Sequence, residues 1–180
     1  MAATLLLASL TSCIFSPKRD DGDPGDGGHP QYPKLTDPII VLDALKLAYE
    51  ARDSVEIKLI YDGTYIGRSF DPNDQSALPD FTKQDEVDHV AFLHNKSSIT
   101  SVYLTYPPIK TRSTDLADPP GWATVQMHNP GISVEINDSP TTYNLAPAVG
   151  TFEFKFIPTT PDSTSPTDTT WKIVRWTEFP

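Results

Sequence analysis

The sequence predicts an α+β domain in which N-terminal helices pack on an antiparallel β-sheet. Apolar residues recur at helical spacing in the first half of the chain, and from position 99 onward they alternate with polar ones. The connections between the alternating runs are polar and rich in proline, as turns between strands require.

The first helix is expected from Thr36-Asp37-Pro38, where Asp37 can accept a terminal N–H and Pro38 lacks a donor at the one place where none is needed. Val41, Leu42, Leu45, Ala48 and Tyr49 give it one apolar face, and Asp43, Lys46, Glu50 and Arg52 mark its wet side and its end. Asp53-Ser54-Val55-Glu56 has capping-box spacing, so a second helix carries Ile57, Leu59 and Ile60 inward before Asp62-Gly63 turns the chain. Residues 64–70 read as a strand that the cluster Asp71-Pro72-Asn73-Asp74 stops. Thr82 caps a third helix that runs through Asn95 with Val87, Val90 and Ala91 inside.

Period two then takes over. Val102, Leu104 and Tyr106 form one strand, and residues 122–127 form another. Ile132, Val134 and Ile136 mark a third strand, followed by residues 149–157 and 170–178. Phe152, Phe154 and Phe156 opposite Glu153 and Lys155 make the sharpest alternation. Residues 107–121 and 158–169 are expected to be polar connections, and no internal repeat is present.

In 180 residues, 38% are hydrophobic and 18 are prolines, which suits one core with long irregular connections. Fourteen basic against 24 acidic residues leave a formal charge of −10, which disfavours nucleic acid as a partner. The single cysteine, Cys13, excludes an internal disulfide and multi-cysteine metal sites.

Residues 2–10 are a short apolar run, too short to span a bilayer, and they lead into Leu10-Thr11-Ser12-Cys13. This resembles the lipobox of bacterial lipoproteins. The resemblance implies a signal peptide at 1–12 and a diacylglyceryl group on the Cys13 thiol, placing the protein in the bacterial cell envelope, anchored to the membrane. Ile14 after the cysteine implies the outer membrane in a Gram-negative host, with the domain in the periplasm or at the cell surface. From Ser16 the chain reads SPKRDDGDPGDGGHPQYPK, a composition that cannot offset the entropy of ordering, so residues 13–35 are read as an acidic tether and 36–180 as the domain. Asp20, Asp21, Asp23 and Asp26 lack the spacing and closing Glu of an EF-hand loop.

ALKLAYEARDSVEIKLIYDGTYIGRSFDPND at 44–74 and TWKIVRWTEF at 170–179 resemble the helix pair with first strand and the closing strand of the nuclear transport factor 2-like, or cystatin-like, superfamily. The resemblance implies a curved sheet wrapped into a cone with the helices over it, and Glu86 stands where an acidic residue often follows the loop into the third helix. Phe81 stands where the family pattern has Trp. Isomerases, dehydratases and pure binding modules share this fold, so the role has to come from the residues.

Asp85-Glu86-Val87-Asp88-His89 is the candidate for acid–base chemistry, since Asp85 and His89, or Glu86 and His89, share a helix face. The same pattern serves as a solvated face with a local ion pair. Glu-x-x-His also occurs in di-iron bundles, which need a second such motif that is missing here. His94, His128 and His29 are not spaced to share a metal with His89, and no cofactor is implied. Tyr49, Tyr61, Tyr65, Phe70, Trp122, Trp171 and Trp176 either line a ligand cavity or fill the core. Trp171 and Trp176 have opposite parity on one strand, so alternation alone leaves their facing open.

The sequence thus points to a non-enzymatic lipoprotein that binds a small ligand or an envelope protein. The alternative is an isomerase or dehydratase using His89 with Asp85 or Asp88. Self-association through the exposed side of the sheet is a further expectation, as in this superfamily.

Overall fold

A computed structural model describes residues 30–71, 76–128, 132–145, 151–159 and 169–179. Cys13, the apolar run before it and the aspartates after it lie outside the described residues. Helix α1 (Pro38–Ala51) starts as expected: the Asp37 carboxylate accepts the Ile39 N–H at 2.8 Å, and Arg52 ends the helix in the left-handed region at φ 55°. Asp53 caps α2 (Ser54–Ile60) by accepting from the N–H groups of Val55 and Glu56. Leu59, expected inward, is 40% exposed, because Ile57 and Ile60 already occupy the core-facing side of this short helix.

No turn separates α2 from the first strand. Strand β1 (Tyr61–Arg68) begins at once, and Asp62-Gly63 makes an irregularity within it, where Asp62 accepts the Thr64 N–H at 2.8 Å. The short β2 (Phe81–Thr82) leads into α3 (Lys83–Asn95), whose start is a capping box of Thr82 and Asp85. The remaining strands are β3 (Ile99–Thr105), β4 (Thr111–Ser113), β5 (Ala123–His128), β6 (Ser133–Asp138), β7 (Thr141–Leu145), β8 (Thr151–Thr159) and β9 (Thr170–Phe179). The alternation missed β4 and β7, which are short and polar.

The strands form a six-stranded sheet, β2-β1-β9-β8-β5-β4, and a three-stranded sheet, β3-β6-β7. Their registers are in step. Thr105 pairs with Ser133, and six residues later Thr111 pairs with Gln126, seven residues earlier. Val134 pairs with Leu145, and His128, six back, pairs with Thr151, six on. The two sheets are therefore halves of one curved surface. It is a mixed surface, since β1 runs parallel to β9. That corrects the fully antiparallel expectation, because alternation reports which face a residue occupies and not the direction of its neighbour.

Val125 and Met127 of β5, Phe152, Phe154 and Phe156 of β8 and Ile173 of β9 face the helices in one buried cluster with Val41, Leu42, Leu45, Ile57, Ile60 and Val90. Leu93, Ile99 and Val102 form a smaller cluster against Val134 and Ile136. Tyr32 and Leu35, assigned from composition to the tether, pack against the main cluster, and the Leu35 carbonyl accepts the Trp171 N–H at 2.7 Å. On the opposite face, Lys155 bridges Asp115 and Asp118 of the 107–121 connection at 2.9 and 2.7 Å. Part of the outer sheet surface is thus covered from within the chain.

Candidate functional site

On the inner face the Glu86 carboxylate is held by two phenols. Glu86 shares the buried stripe of α3 with Val90 and Leu93, which lie four and seven positions on, so helical geometry sends its carboxylate toward the sheet. Tyr49 of α1 donates to Oε2 at 2.6 Å, and Tyr65 of β1 donates to Oε1 at 3.0 Å. The Tyr61 and Tyr65 rings lie 4.3 Å apart. One carboxylate therefore joins α1, α3 and β1 through hydrogen bonds of the charge-assisted kind.

The chain makes room for this contact at Gly67. A Cβ there would stand 2.5 Å from the Tyr65 hydroxyl oxygen and 3.3 Å from the Trp176 ring. Tyr65 leans along its strand over the glycine to reach Glu86. Burial raises the phenol pKa values of Tyr49, Tyr61 and Tyr65, and the Glu86 charge adds to it. All three remain neutral donors at physiological pH.

Trp171 and Trp176 both belong to this face. Lys155 pairs with Arg175 but the next residue, Phe156, pairs with Ile173, so Val174 is an extra residue in β9 that reverses the alternation. Trp176 then lies beside Gly67 and Phe154 and stacks on Phe152 at 6.2 Å, and Trp171 packs on the same core beneath the Arg112 guanidinium. The Trp176 Nε1–H and the Tyr106 hydroxyl are buried without a partner among the described residues.

Of the seven aromatics singled out in the sequence, Tyr61 and Tyr65 are buried in the core, and Tyr49, Trp171 and Trp176 are half-buried against it. Phe70 and Trp122 are half-buried outside that cluster: Phe70 bridges to Ala77, and Trp122 follows a turn closed by its N–H to the Pro119 carbonyl at 3.3 Å. His89, Asp85 and Asp88 are all exposed, on the solvated side of α3 and not on the inner face. Asp85 is spent on the Thr82 cap, Asp88 accepts from Gln84 at 2.8 Å, and the His89 ring lies 6.3 Å from that of Tyr49. Helix α3 has room for only a narrow apolar stripe, and Glu86, not the i,i+4 pair, lies on it. Among the described residues no group of three or more His, Cys, Asp or Glu side chains is arranged to hold a metal, and no helix is long and apolar enough to cross a membrane.

No protein-family model matches the chain, and no curated protein matches its sequence. Solved structures do match its fold. An NTF2-like protein of unknown function in nutrient uptake from Rhodospirillum rubrum superposes with a TM-score of 0.52 at 10% identity, covering 79% of this chain and 97% of that one. A putative scytalone dehydratase from Novosphingobium aromaticivorans gives 0.52 at 8% identity over 77% of each chain. A conserved protein from Planctomyces limnophilus gives 0.52 at 11% identity, over 76% of this chain and 88% of that one. The domain has the nuclear transport factor 2-like α+β fold, with helices packed on a curved mixed sheet.

Proposed function

We propose that this chain is a lipid-anchored lipoprotein of the bacterial envelope whose domain is a non-catalytic binding module for a small, largely apolar or sugar-like ligand. The observation that carries the binding reading is the Trp176 Nε1–H, a buried donor lacking an acceptor among the described residues, on an aromatic inner face. A buried N–H left unpaired costs about 1–3 kcal/mol, so an acceptor oxygen brought by a ligand has a physical reason to sit there. Phe152 and Trp176 supply the flat apolar surface beside it.

A non-catalytic role fits the state of Glu86. A general base must be free to reach the proton it removes, and both oxygens of this carboxylate already accept from tyrosines. The exposed His89 with Asp85 or Asp88 is the second reading, an envelope isomerase or dehydratase, and the likeness to a putative scytalone dehydratase favours it only at the level of fold. The anchor rests on Cys13 and the run before it.

Two measurements test the proposal. Full-length protein extracted from its host in mild detergent should carry a small-molecule mass in native mass spectrometry that Trp176→Phe loses while remaining folded. A wild-type chain that is always ligand-free would count against binding. Cys13→Ser should abolish palmitate labelling and release the protein from the membrane fraction; continued membrane association without labelling would remove the anchor.

A further inference from the structure

The chain treats its sheet edges differently. The open side of β3 is covered by side chains of α1: Lys46 donates to the Leu104 carbonyl at 2.8 Å, Glu50 accepts the Leu104 N–H at 3.3 Å, and Arg52 donates to the Ile99 carbonyl at 2.6 Å. Strands β2 and β4 have only two and three residues. Strand β7 is five residues long, lies at the end of β3-β6-β7, and has no strand on its outer side among the described residues. Its sequence, Thr141-Thr142-Tyr143-Asn144-Leu145, holds no charge and no proline, the usual means of blunting an edge.

The side chains next to that edge are also uncovered. Tyr143 pairs with Ile136, on the side of the sheet that faces α3, and is 49% exposed; Phe92 of α3 is 58% exposed, with the Lys96 ammonium 5.8 Å from its ring. Lys96 is already paired with Asp138 at 2.6 Å. The edge therefore presents backbone donors and acceptors beside two aromatic rings, and of the charges on the neighbouring strand Asp138 is paired with Lys96 and Glu135 accepts from the Asn137 amide at 2.9 Å.

We propose that β7 pairs antiparallel with β7 of a second copy of this chain, about a two-fold axis beside Tyr143. A neutral strand is complementary to itself, whereas a charged partner would gain nothing here, and two-fold pairing closes after two copies. This register matches all five residues, sets the two Tyr143 rings opposite each other on the α3 side and places Thr142 across from Asn144 of the second copy on the other side. It differs from a dimer packed through the face of the sheet, where the three-stranded half carries the hydrogen-bonded set Ser101, Asn137 and Thr142.

The test uses the full-length chain with Cys13→Ser, so that no lipid contributes to the mass. Light scattering across a hundredfold range of concentration should show a monomer becoming a dimer, and the β7 amides should gain protection from hydrogen exchange over the same range. Thr142→Lys with Asn144→Lys places like charges across the axis and should weaken dimerisation at least tenfold. Thr142→Glu with Asn144→Lys places opposite charges there and should restore it. A chain that stays monomeric, or a dimer that the opposite-charge pair fails to restore, overturns the proposal; the first result leaves the edge to a strand from another protein, and the second moves the interface away from the β7 edge.

Discussion

The Tyr65 hydroxyl passes directly over Gly67 on its way to Glu86, so that a single methyl group at position 67 would lie 2.5 Å from the oxygen. The glycine is required for its missing side chain, since its backbone is that of an ordinary strand residue. Gly67→Ala should displace the Tyr65 hydroxyl and cost about 1–3 kcal/mol through a buried polar group left without its partner. Urea unfolding checks this. With Tyr65→Phe already in place, adding Gly67→Ala should cost much less, because the clash and the lost hydrogen bond are one event.

The buried phenols predict a loss of stability at high pH. Burial is the first cause of the raised pKa of Tyr49, Tyr61, Tyr65 and Tyr106; Glu86 follows for the first three, and Asp43 and Glu50 for Tyr106. Above the unfolded value of about 10, the unfolded chain releases these protons and the folded chain keeps them. Their contribution is complete below that pH and is lost as pH rises toward the folded values, with a slope of about 1.4 kcal/mol per pH unit for each tyrosine. Phenolate absorbance from these four should appear together with loss of the far-ultraviolet dichroism, not before it.

Deleting Val174 should prevent cooperative folding. Without the extra residue, β9 can match β8 on only one side of the bulge, and the other side must turn either Trp171 or Trp176 outward. Far-ultraviolet dichroism and a denaturation curve would report this, and a normal transition would mean that the inner face does not depend on the bulge.

At the start of α3, Thr82→Ala should cost about 1 kcal/mol as the cap is lost. Asp85→Ala should weaken the same helix start, and Asp85 is also held below the usual carboxylate range by Thr82, so its contribution fades as pH falls through that lowered value. His89→Ala and Asp88→Ala lie on the solvent side and should change stability by no more than about 0.5 kcal/mol. Denaturant midpoints compared at neutral and acidic pH separate these cases.

Local chemistry alone determined the fold class, the starts of α1, α2 and α3, and the inward set Phe152, Phe154 and Phe156, because helix caps and alternation act between residues close in sequence. It also put Glu86 on the apolar stripe of α3, a signal readable from the spacing of Glu86, Val90 and Leu93. Tertiary structure decided the rest. The parallel pairing of β1 with β9, the bulge that turns Trp171 and Trp176 to one face, and the meeting of Tyr49 and Tyr65 on one carboxylate join residues from different elements, 17 or more positions apart. Their partners are chosen by how the packed elements share space, and no pattern within a single segment encodes that choice.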